Sequence, residues 1–343
     1  MKYNAPYGVS DPNAPYQNGN PSTGTMGSIP PAWSIEHDQR EIVNVIQYAA
    51  DHGLIDFNNA ICQNPSELDL QQLLKAIFGL SNRQRVIIPF TFYVNSATGV
   101  DTNDGLTPTA PLKTITKAVQ LASLYAPGPN AITIKVAAGS YVGFTLPFYS
   151  IPQVILEGDT NTPTSVVIDG GTTWAAGCGS YNTLTVRYVK LQATGGQHIG
   201  PGSSGVVAFQ YATINIGPGV YFGKCDLSLI NSGGQINVQS PFHSSGSACD
   251  FFLYSAGGSI LCGYLNQGLE LYIDAPIACQ VFALAMGTDA VIGTSGVIFN
   301  GASGVTGQRY NCNYGGWIDT NVGGPNYFPG NAAGTVLNGG IYR

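Results

Sequence analysis

The chain has 343 residues, a net charge of −6 and only 9% charged residues, against 44% hydrophobic residues and 45 glycines. Intrinsic disorder, which needs low hydrophobicity together with high charge, is excluded, as is nucleic-acid binding, because 13 basic residues form no stripe to neutralise phosphates. No apolar run of about 18 residues exists, so no membrane insertion is expected, and Met1-Lys2-Tyr3-Asn4 leads into Pro, Asn and Gly without the apolar stretch of a secretion signal.

Residues 1–31 carry Pro, Asn, Gly and Ser at loop density, with no apolar period. The interleaved Tyr3, Tyr7 and Tyr16 predict an extended arm that orders on a partner. Helical spacing begins near residue 34 and runs to 52, with Ile42, Val45, Ile46 and Ala49 on one face and Gly53 as its stop. A second helix is expected over 65–78, capped by Asn64 before Pro65, or by Ser66 with Asp69 three residues on. Its stripe is Leu70, Leu73, Leu74 and Ile77, and Gly79 should end it. Two short stripes bury little alone, so they are expected to pack on each other and on symmetry mates or another protein. Residues 32–85 therefore read as a small helical region.

Residues 86–128 read as a lead-in. Phe90 to Val94 has strand character, Val100 to Gly105 is a turn, and Pro111 to Leu124 predicts a third helix with Ile115, Ala118, Val119 and Ala122 on one side. From 129 to 306 short apolar runs recur, among them Ile132–Val136, Val154–Leu156, Leu184–Val189 and Val206–Tyr211. Turns such as Gly170-Gly171, Gly217-Pro218-Gly219 and Gly257-Gly258 separate them. Three short strands per coil, stacked coil on coil, produce this texture. A β-sandwich would show more Asn-Gly hairpin punctuation. Residues 307–343 are read as a C-terminal cap or tip.

Two segments carry a resemblance. Gly27-Ser28-Ile29-Pro30-Pro31, then Glu36 to Ile46 and Leu68-Asp69-Leu70-Gln71-Gln72-Leu73-Leu74-Lys75-Ala76-Ile77, resemble the virion-proximal region of phage tail-fibre and tail-spike proteins. Phe92-Tyr93-Val94-Asn95, Asp101-Thr102-Asn103-Asp104-Gly105 and Pro111-Leu112-Lys113-Thr114-Ile115, followed by Ile132 to Tyr141, are similar to the entry motif of pectin-lyase-like right-handed parallel β-helices. The resemblance implies a mainly β fold, a right-handed solenoid with an amphipathic helix at 111–124 capping its first coil. It also implies a homotrimer in the virion tail, assembled in the host cytoplasm. Docking on a tail or baseplate protein would run through Tyr3, Tyr7, Tyr16, Pro30, Pro31, Ile42 and Ile46.

Chemistry is thinly signalled. The seven cysteines form no CxxC or Cys/His cluster, so no zinc site is expected, and their odd number favours buried free thiols. Asp101-x-Asn103-x-Gly105 has Leu106 and Leu112 where a calcium loop needs Gly and Glu, and reads as a side-chain-stabilised turn. Neither metal nor cofactor is expected. Glu270 and Asp274 share a strand face but lie roughly 13 Å apart, too far for a hydrolytic carboxylate pair. His198 and His243 read as loop histidines, and no catalytic residue is assigned. Trp174, Tyr181 and Trp317 are the proposed glycan contacts, with Tyr264 and Tyr327 as further aromatics in turn-like segments. The leading expectation is a structural tail component that recognises a host-surface polysaccharide. Its rivals are a polysaccharide depolymerase and an internal baseplate or neck protein.

Overall fold

A computed structural model of the chain describes residues 6–11, 14–15, 17–29, 32–51, 62–66, 71–81, 84–195, 203–245, 248–263, 268–321 and 323–343. They fall into two compact units, Met1–Gln84 and Arg85–Arg343.

In the first unit the N-terminal stretch is not extended throughout, as expected, but doubles back. Asn20 and Thr25 form an antiparallel bridge, Ser28 N donates to Gln17 O at 2.9 Å, and Tyr7 N donates to Ile29 O at 2.9 Å. Asn20 Oδ1 accepts from Ser22 N and starts that turn. Tyr7 is exposed; Tyr3, Tyr16, Pro30 and Pro31 lie outside the described residues. Helix α1 (Ala32–Asp51) and helix α2 (Gln72–Ser81) pack on each other through Ile46, Ala49, Cys62 and Ala76. The second helix starts later than its expected caps. Ser66 N donates to the side chain of Gln72, whose amide also bonds Asn64 O, so this buried glutamine ties down a non-helical 62–66. It also runs through Gly79 to Ser81. Ile42, Leu74 and Ile77 remain exposed, leaving one residue of the first stripe and two of the second uncovered within the unit.

The second unit is a parallel β-solenoid of about seven coils. Three sheets hold ten, seven and eight strands, here called A, B and C. Strand Phe90–Val94 opens sheet A and pairs in parallel with Ile132–Val136. Coil one is Ile132–Val136, Gly139–Val142 and Phe144–Leu146, one strand for each sheet. Coil seven is Ala290–Gly293, Ile298–Asn300 and Val305–Asn313. The stacking then continues through Trp317–Asp319, Thr335–Val336 and Ile341–Tyr342. The expected boundary at 306/307 therefore falls inside a strand, and the C-terminal segment extends the solenoid.

Alternation explains why these runs stack. In sheet A, Ile134, Leu156, Val186, Ile216, Val238 and Cys262 are register partners from coil to coil, and each is buried. A period of two points them inward while their neighbours face out. Burying each Leu, Ile or Val contributes about 1.5–3 kcal/mol. Helix α3 (Ile115–Ala122) buries Ile115, Ala118, Val119 and Ala122 and packs on Phe90–Val94, Ile132–Val136 and Phe144–Leu146. It is shorter than the expected 111–124. Thr114 caps it, and the Asp101 carboxylate accepts from Lys113 N, Thr114 N and Thr114 Oγ1, which makes the 101–105 turn a side-chain-stabilised one.

The thiol expectation needs correction. Cys249 and Cys279 are register partners on adjacent coils, with Cα atoms 4.8 Å apart, and form a disulfide. Cys178, Cys225, Cys262 and Cys312 remain buried thiols. Burial pushes Cys178 and Cys262 up to about 12 and Cys225 up to about 11. They pack as small neutral side chains.

Candidate ligand-binding groove

The outward face of sheet A is polar but almost uncharged at its centre. Asn237 Nδ2 donates to Asn215 Oδ1 at 3.0 Å, and Gln235 Nε2 donates to Asn237 Oδ1 at 2.7 Å. Charge sits at the N-terminal end, where Glu157 accepts from Arg187 at 2.5 Å and Lys135 lies 3.7 Å away.

At the C-terminal end the same face opens into a cavity of about 1020 Å³, lined among others by Leu261, Gly293, Ser295, Trp317, Asp319 and Tyr342. Its floor is four parallel strands, Gly258–Cys262, Ala290–Gly293, Trp317–Asp319 and Ile341–Tyr342. Leu261, Gly293 and Asp319 are register partners, and the missing side chain at Gly293 leaves a hollow between the other two. Arg343 closes one side: its guanidinium lies 4.5 Å from the Trp317 ring centroid and its Nη2 donates to Asp319 Oδ2 at 3.2 Å. Asp319 Oδ1 accepts from Asn321 N at 3.0 Å, and Asn321 Nδ2 donates to Ser295 Oγ at 3.1 Å. The Tyr342 hydroxyl donates to Gly324 O at 2.6 Å, and burial pushes it up to about 12, so it stays a neutral donor. Trp317 Nε1 is buried without a hydrogen-bond partner.

These groups suit a neutral, hydroxyl-rich ligand. One cation and one anion neutralise each other, while amide, hydroxyl and aromatic groups remain. Asp319 carries the single side-chain carboxylate among the described lining residues. Among the described residues no group of three His, Cys, Asp or Glu is placed to hold a metal ion.

Of the three sequence-selected aromatics, Trp317 lies in the groove. Trp174 lies on sheet C, its Nε1 donating to Thr145 Oγ1 at 2.6 Å and its ring 5.3 Å from Phe209. Tyr181 is exposed at a corner between sheets C and A, stacked on Tyr211 at 5.4 Å. The fold does not bring these three together. Tyr327 is used structurally, its hydroxyl bonding Thr294 O and accepting from Val297 N. Tyr264 and His198 lie outside the described residues.

His243 is not a loop histidine. It sits within strand Phe242–Ser244 of sheet B, stacked between Tyr221 and Tyr272, with Nδ1 on the Asp274 carboxylate. Glu270 accepts from the Tyr272 hydroxyl, and this bond raises the phenol above its ordinary value. The two carboxylates thus serve different partners. Asn321 and Arg343 were missed, because nothing in their local sequence marks them as neighbours of Trp317.

Residues 97–197 match a family described as a protein of unknown function (DUF1565). The match begins in the turn after Phe90–Val94 and ends beyond the second strand of coil three. No curated protein and no solved structure matches the chain.

Proposed function

We propose that the protein is a structural component of a bacteriophage tail, a spike or fibre, which attaches through its N-terminal helical unit and recognises a host-surface glycan without cleaving it. The observation that carries the recognition reading is the groove: an indole, amides and hydroxyls around one self-neutralised ion pair, with one side-chain carboxylate among the described lining residues. Attachment rests on the resemblance of residues 27–31, 36–46 and 68–77, and on the uncovered apolar residues Ile42, Leu74 and Ile77.

The same reading makes the solenoid right-handed and α3 the plug over its first coil. The four buried residues of α3 against the opening strands support that role. It also makes the particle-bound form a homotrimer. Sheet C is the face we assign to it: half-buried Trp174, Phe209, Phe251 and Tyr254 lie over buried Val207, Leu227 and Ile230, a cluster separate from the central core.

Isothermal titration with purified host-surface polysaccharide tests the groove. Trp317→Ala and Asp319→Asn are each expected to weaken binding about tenfold or more, equivalent to about 1.4 kcal/mol. Unchanged affinity in both variants would place recognition elsewhere.

A further inference from the structure

The densest set of chemically active side chains outside the groove lies on the outward face of sheet B. Lys190, Tyr221, His243 and Tyr272 are register partners on four successive strands. The imidazole lies 4.5 Å from the Tyr221 ring and 4.7 Å from the Tyr272 ring, with interplanar angles of 13° and 11°. Its Nδ1 faces both oxygens of Asp274, at 3.1 and 3.0 Å. Stacking alone would account for the rings, but it needs no carboxylate behind the imidazole. An imidazole fixed on two faces and held at Nδ1 has one functional edge left, Nε2. Among the described residues Nε2, the Tyr221 hydroxyl and the Lys190 ammonium have no hydrogen-bond or ion-pair partner. Adjacent strands place the three residues in register, Lys190 beside Tyr221 and Tyr221 beside His243, with a strand spacing of about 4.8 Å.

We propose that this face is a second site, which hydrolyses carboxylic esters on hydroxylated polymers such as O-acetylated glycans. His243 is the general base, Asp274 its positioning residue, and Tyr221 and Lys190 the donors to the oxyanion. His243 Nε2 takes a proton from water, whose oxygen bonds to the acyl carbon. The carbonyl electron pair moves onto its oxygen, which accepts hydrogen bonds from Tyr221 and Lys190. Collapse breaks the bond between the acyl carbon and the alcohol oxygen, and the imidazolium returns its proton to that oxygen. One water is consumed, one alcohol and one carboxylic acid are formed, and no cofactor or oxidant takes part. Glycoside cleavage fits less well, since Asp274 and Glu270 are committed to His243 and Tyr272. The proposal is independent of the groove: glycan binding and ester hydrolysis are separate readouts.

The test incubates the full chain with p-nitrophenyl acetate, and separately with an O-acetylated bacterial polysaccharide, measuring p-nitrophenolate and acetate release between about pH 5 and pH 9. His243→Gln is expected to lower the rate about a hundredfold. Asp274→Asn should lower kcat with little change in KM and move the acidic limb of the pH profile, which a purely structural role would not do. Tyr221→Phe should lower kcat while circular dichroism stays that of the parent. A parent chain no faster than heat-denatured protein, or a folded His243→Gln variant as fast as the parent, would overturn the proposal.

Discussion

At the corner between sheets C and A the chain turns through a left-handed residue in coil after coil: Tyr181 at φ 63°, Tyr211 at 61°, Gly233 at 86° and Gly257 at 86°. Two early coils use a tyrosine there, and the stacking of Tyr181 on Tyr211 offsets part of the backbone cost. The next two coils use Gly-Gly, whose members differ in their surroundings. A Cβ at Gly257 would meet nothing closer than 3.9 Å, whereas one at Gly258 would come within 2.1 Å of Gly234 O. Gly257→Ala should therefore cost only left-handed strain, about 1–2 kcal/mol. Gly258→Ala must also push coils apart and should cost about 3 kcal/mol or more. Urea unfolding of both variants checks the order, and equal losses would contradict it.

The buried thiols give a pH dependence with a defined sign. Cys178 and Cys262 hold their protons up to about 12 when folded, whereas the unfolded chain releases them near an ordinary thiol value of about 8.5. Between those values the unfolded state binds fewer protons, so stability falls as pH rises. Thermal unfolding at about pH 10.5 should have a lower midpoint than at about pH 8. Iodoacetamide at the lower pH should leave Cys178, Cys225 and Cys262 unlabelled until urea is added.

Single elements were legible where a local rule acts. The strands at 90–94 and 132–136 and the apolar face of α3 follow from spacing alone. Elements set by contacts distant in sequence were not. The helix over 72–81 starts where a buried glutamine side chain bonds residues six and eight positions back, which no cap rule contains. The Cys249–Cys279 bond joins residues 30 apart, one coil at that level. Coil length varies from 22 residues (Ile132 to its partner Val154) to 32 (Ser259 to Val291), so no fixed period tells which residues will be neighbours. His243 was read as a loop histidine for this reason, its stacking partners lying 22 and 29 residues away. The disulfide ties two coils across a loop of that length, and replacing both cysteines by serine should cost about 3 kcal/mol. A chemical-denaturation midpoint equal to that of the parent would show that the bond adds nothing to the folded chain.

On the scale of the whole molecule, a solenoid uses its inward faces for stability and leaves its outward faces to differ. Sheet A carries amides and ends in the Trp317 groove, sheet B carries the Tyr221–His243–Tyr272 stack, and sheet C carries an apolar cluster. The fold class was readable from strand rhythm and from the entry motif at 92–141. The groove was readable only at Trp317, because its other members arrive from three further strands and the loop after Asp319. Its internally neutralised ion pair, with one side-chain carboxylate among the described lining residues, is the ground on which we propose binding and not glycan cleavage. The most direct test holds the purified chain with host-surface polysaccharide and follows bound glycan and new reducing ends in the same sample. The account predicts saturable binding with no rise in reducing ends. Reducing ends that accumulate with time, or no binding at all, would contradict it.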